Sequence, residues 1–92
     1  MTNLTTIWVF NGPESRFPSG VFSQRDIGEA WIKTHGLSGT LTSYPVDLGV
    51  YDWALQNSFF KPKTEEQQAA KFIQSFSSAS QEHFHYEDGV LA

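Results

Sequence analysis

The 92-residue sequence predicts an α+β fold, a small two-layer sandwich in which a three- or four-stranded sheet carries about three helices on one face. Three observations point to it. Short runs rich in β-branched and aromatic residues read as strands, and separate segments space their apolar residues at three and four, as helices do. The two kinds of segment interleave as strand, helix, strand, two helices, strand. Neither an internal repeat nor a low-complexity stretch interrupts that order, so residues 1–92 are expected to form one small globular domain.

Thr6–Asn11 contains Ile7, Trp8, Val9 and Phe10 in succession and ends at Asn11-Gly12-Pro13, the signature of a short strand buried on both faces. Gly12–Gly20 holds Gly, Pro and Ser at turn spacing and reads as a loop, after which Gly20–Phe22 rejoins the sheet. Ser23 is placed to cap the first helix, with Asp26 in its first turn and Phe22 against Ile27 as a hydrophobic staple. Ile27, Ala30 and Trp31 share its predicted inner face. Gly36 supplies the left-handed stop, and Leu37 folds back on Ile32.

Gly39–Val46 alternates polar and apolar residues as a half-exposed strand, with Pro45 suggesting a sheet edge. Asp47 is expected to cap a second helix running to about Asn57, in which Gly49 costs about 1 kcal/mol relative to alanine. Thr64 and Gln67 form a T-x-x-Q capping box ahead of Ala69, Phe72, Ile73 and Phe76, a third helix. Gln81–Asp88 is a last strand. It sets Phe84 and Tyr86 on one side and His83, His85 and Glu87 on the other, and Gly89 ends it.

Six Lys and Arg against ten Asp and Glu leave a net charge of −4, which disfavours nucleic acid or anionic lipid as a partner. The absence of cysteine excludes disulfides, thiolate catalysis and Cys-ligated metals. Met1–Phe10 lacks the basic start of a secretory signal, and no run approaches ~18 apolar residues, so a cytoplasmic protein without a membrane span is expected. Aromatic residues make up 15% of the chain, enough both to build a core and to leave rings for a contact surface.

Enzyme signatures are sparse. No serine lies in a G-x-S-x-G elbow, neither Asn11-Gly12-Pro13 nor Leu37-Ser38-Gly39 forms a phosphate-binding loop, and nothing calls for a cofactor. The sharpest constellation is His83-Phe84-His85. Two histidines at i and i+2 on a strand face the same way, and Glu87 continues that side, so His83, His85 and Glu87 could ligate a divalent metal. The competing reading is that they are simply the wet side of a half-buried strand. His35, the remaining histidine, falls at the helix stop, where capping already explains it.

Glu82, Glu87 and Asp88 form an acidic flank with no Lys or Arg among residues 82–88. His83, His85, Tyr86, Glu87 and Asp88 together make a candidate surface for an unidentified protein partner of basic character, with charge speeding encounter and rings supplying affinity. An exposed strand edge could equally pair two copies of the chain.

Five sequence blocks carry a resemblance: Trp8-Val9-Phe10-Asn11-Gly12, Phe17-Pro18-Ser19-Gly20-Val21-Phe22-Ser23, Tyr44-Pro45-Val46-Asp47, Gly49-Val50-Tyr51-Asp52-Trp53 and Gln81-Glu82-His83-Phe84-His85-Tyr86-Glu87-Asp88-Gly89. Together they resemble a family of small bacterial domains of unknown function along nearly the whole chain. The resemblance implies a bacterial source and a stand-alone domain and transfers no activity. The resulting expectation is a non-enzymatic interaction module, regulatory or immunity-like; the alternative is a small metal or ligand binder on the His83, His85 and Glu87 face.

Overall fold

Strand-forming residues and glycine-assisted turns build an antiparallel sheet from both ends of the sequence. A computed structural model describes residues 5–92 and shows β1 (Thr6–Asn11), β2 (Gly20–Phe22), α1 (Arg25–His35), β3 (Gly39–Pro45), α2 (Val50–Gln56), α3 (Ala70–Ile73), β4 (His83–Glu87) and β5 (Val90–Leu91). The five strands lie in the order β2-β1-β3-β4-β5, all neighbours antiparallel. β2 and β3 therefore flank β1 in the same direction, and α1 is the crossover that joins them. The chain divides into two compact units: residues up to Val46 with Gln81–Ala92, and Asp47–Ser80.

The sheet and α1 make the first unit. Phe10, Ile32, Leu41 and Tyr86 form its buried centre, and Trp8, Phe22, Trp31, Leu37 and Phe84 pack around them. Register explains the set: Phe10 lies opposite Leu41, and Leu41 opposite Phe84, so one row of the pleat points at the helix. Complete burial of Leu41 and Ile32 contributes about 1.5–3 kcal/mol each. β1 was expected to be buried on both faces, yet only Phe10 is, while Ile7 and Val9 are half-buried on the side away from α1.

α1 keeps its predicted stop but not its predicted start. Gly36 sits at φ 62°, and Leu37 N–H donates to Ile32 O at 3.0 Å, as a glycine-terminated helix requires. At the other end Gln24, not Ser23, holds the cap position, without a side-chain hydrogen bond. The Phe22–Ile27 staple does not form: of the expected inner face Ile27 and Ala30 are exposed while Trp31 packs against the core, and the line nearest the sheet is Arg25, Gly28, Glu29 and Ile32. Gly28 accounts for the rotation. A Cβ there would lie 2.9 Å from Phe22 and 3.2 Å from Leu41, so the helix approaches the sheet closely only along this line.

β3 is an interior strand, not an edge; Pro45 is its last residue, opposite Thr6, where a missing N–H costs the ladder least. β4 does not end the sheet. Asp88 (φ 52°) and Gly89 (φ 84°) form a two-residue turn of the hairpin type, and the chain returns as β5, giving five strands where three or four were expected. Gly89 N–H donates to Leu37 O at 2.8 Å, fastening this turn to the end of α1.

The second unit packs rings. Tyr51 is buried, with Phe60, Phe72 and Phe76 at centroid distances of 5.9, 6.2 and 5.4 Å. α2 begins at Val50 behind an extended Gly49 cap, so Gly49 escapes the helix-interior penalty, and Asp47 occupies a left-handed turn (φ 61°) instead of capping. The third helix is broken. A 3₁₀ turn at Glu66–Gln68 stops at an extended Ala69 before α3. Thr64 Oγ1 accepts from Gln67 N–H as the capping box requires, but Gln67 Oε1 accepts from Lys63 N–H at 2.7 Å. Tyr51 explains the break: its hydroxyl donates at 2.8 Å to Gln67 O, the carbonyl a continuous helix would offer to residue 71.

Candidate functional site

β4 presents alternate residues to the two faces of the sheet, as its alternation predicts. His83, His85 and Glu87 are exposed on the side away from α1, whereas Phe84 and Tyr86 face the helix. Both imidazoles are held. His83 Nδ1 lies 2.7 Å from Gln81 O, and because a carbonyl only accepts, Nδ1 carries the proton. His85 Nδ1 lies 3.2 Å from Thr40 Oγ1, its cross-strand neighbour in register. The two rings stand nearly perpendicular, 85° apart, with centroids 5.4 Å apart. Gln81 is itself fixed, since its buried side chain donates to Ser43 O at 2.9 Å.

Tyr86 does not belong to this surface. It is only 4% exposed and donates its hydroxyl proton to Glu29 Oε2 at 2.7 Å, on the α1 side. Burial first, and the adjoining Glu29 carboxylate second, push its phenol above the ordinary tyrosine range. Arg25 completes that inner network, 3.5 Å from Glu29 and with its guanidinium carbon 3.5 Å above the centroid of the Phe84 ring. Strand alternation had already separated Tyr86 from the histidines, and grouping it with them followed sequence proximity over side-chain direction.

The three-ligand set His83, His85 and Glu87 does not assemble either; among the described residues no three His, Asp or Glu side chains come together around a common point. Residues at i, i+2 and i+4 of a strand lie in a line about 13 Å long, too extended for one ion with bonds of ~2 Å. Glu87 instead stands opposite Val90, and Asp88 forms the turn, its N–H donating to Ser38 Oγ at 3.0 Å. Val90 is 67% exposed on the Glu87 side, whereas Leu91, 49% exposed, lies opposite Tyr86 on the α1 side. A shallow depression of about 410 Å³ is lined by Ser38, Thr40, His85 and Glu87 among others.

Sequence reading missed Thr40, Gln81 and Glu29 as supports. Their type carries no signal; what selects them is cross-strand register or contact between helix and sheet. Val90 and Leu91 did have a cue, the Asp88-Gly89 pair that favours a two-residue hairpin.

The five-stranded sheet with α1 is a mixed α/β unit that carries the exposed His83, His85, Glu87 and Val90 on its last two strands. By sequence the protein is a member of a recognised family: the profile of a domain of unknown function, DUF7710, matches residues 7–92, and the chain belongs to that family. No curated protein and no solved structure matches it. Among the described residues no helix is long and apolar enough to cross a membrane.

Proposed function

We propose that the protein is a non-enzymatic interaction module that binds a basic segment of another protein on the β4–β5 hairpin. The observation that carries this reading is Val90, two-thirds exposed and in register with the exposed Glu87. An aliphatic side chain left in water contributes little to folding, and beside Glu87 and Asp88 it pairs an apolar anchor with carboxylates, the combination that suits a basic partner. The net charge of −4 favours encounter with the same class of partner. β5 also ends the sheet, so its outer backbone can accept an added strand.

The test is comparative capture from the native host using the full chain, Val90→Asp and Glu87→Lys. A basic protein held by the unaltered chain should fall at least about tenfold with either variant, and Glu87→Lys should act mainly by slowing association. Equal recovery by all three chains would dismiss the hairpin as the binding surface. Sedimentation at several concentrations separates a foreign partner from a second copy of this chain.

A further inference from the structure

We infer that His83 and His85 form a two-imidazole site for a borderline divalent metal ion, with Zn²⁺ as the reference case, independently of the interaction reading. The geometry points to it in three ways. First, the carbonyl of Gln81 fixes the His83 proton on Nδ1, so the neutral ring presents its Nε2 lone pair outward. Second, Thr40 Oγ1 lies 3.2 Å from Nδ1 of His85, so Nδ1 has a hydroxyl partner and, in the tautomer where Nδ1 donates to it, Nε2 is left as the ligating nitrogen. A metal-bound histidine characteristically holds its other ring nitrogen this way, which sets both tautomer and orientation.

Third, the spacing fits. Two imidazoles bound through nitrogen at ~2.05 Å to one tetrahedral ion place their ring centroids about 5.2 Å apart. The observed separation is 5.4 Å, with the rings already nearly perpendicular. Both side chains are exposed, so an ion reaches them without opening the core, and water completes its coordination. Glu87 is not a ligand, because the strand carries it away from His83 along the line described above. Imidazole donors select Zn²⁺ or Cu²⁺ over Mg²⁺, which prefers oxygen.

The experiment is calorimetric titration of the full chain with ZnCl₂, read in parallel by histidine side-chain NMR. Saturable one-to-one binding with a Kd on the order of 1–100 μM is expected, as befits two ligands on an open surface. His83→Ala and His85→Ala should each weaken it at least about tenfold, while His35→Ala, Glu87→Gln and replacement of Zn²⁺ by Mg²⁺ act as controls: neither substitution should change Zn²⁺ affinity, and Mg²⁺ should not bind. Thr40→Val should weaken binding severalfold and shift the His85 ring nitrogen resonances, and Thr40→Ser should restore both. Absence of saturable Zn²⁺ binding up to about 1 mM, or binding untouched by the His83 and His85 substitutions, would overturn the site. A loss with Glu87→Gln equal to that of a histidine variant would overturn the ligand set.

Discussion

The sheet unit and the Asp47–Ser80 unit use aromatic residues in opposite ways. In the sheet unit the rings are infill. Strand register brings Phe10, Leu41 and Phe84 into one row, α1 lies over them, and ladder hydrogen bonds hold the frame independently of any single ring. In the other unit the rings are the frame. α2 has seven residues and α3 four, too few for helices that persist by themselves, and what gathers them is Tyr51 with Phe60, Phe72 and Phe76. A strand-rich region can spread the loss of one side chain over its ladder, whereas a ring cluster with little regular backbone concentrates that loss at its central residue.

The largest effect should follow removal of that residue. Tyr51→Ala takes away the ring that touches three others and the hydroxyl that ends the 3₁₀ turn, and should cost about 3–5 kcal/mol. Amide hydrogen exchange should show the loss concentrated in residues 47–80. A uniform loss across the sheet would mean the two units unfold as one and would break the comparison. Next comes Gly28→Val, which forces branched carbon into the 2.9 Å and 3.2 Å spaces against Phe22 and Leu41 and should cost about 1–3 kcal/mol in chemical denaturation. An unchanged midpoint would show that the helix can lift off its sheet at no cost.

The smallest effect sharpens the description of the inner network. Tyr86→Phe removes the hydrogen bond to the half-exposed Glu29 carboxylate and should cost about 1 kcal/mol at neutral pH. Its pH dependence has a definite sign. The folded chain holds the Tyr86 proton more tightly than the unfolded chain does, so this stabilisation is complete below about pH 10 and disappears as pH rises through the raised folded-state value. Alkaline denaturation of the unaltered chain and of Tyr86→Phe should therefore converge in that range.

The parts of the fold legible in the sequence are those fixed locally. Gly36 and Leu37 announce the end of α1 because a left-handed residue and its back-folded neighbour suffice to make that stop. The strands β1, β3 and β4 declare themselves through composition and alternation. Long-range contact decided the rest. Gly28 has no hydrophobicity to reveal the inner face of α1, and the break at Ala69 depends on the Tyr51 hydroxyl, sixteen positions from the Gln67 carbonyl that it engages. The candidate site divides along the same line: alternation shows that His83 and His85 share a face, while Thr40, which orients one of them, becomes a neighbour only when β3 pairs with β4.

The insertion of Asp47–Ser80 between two strands that lie side by side has a consequence for biosynthesis. Translation proceeds at about 5–20 residues per second, so the flank of β3 that will receive β4 waits a few seconds for its complement while the intervening segment is made. Throughout that interval the nascent chain offers an open backbone template. Gln81–Ala92 thus supply the seam that closes the sheet, and a chain interrupted before Gln81 leaves the β3 flank without its partner strand.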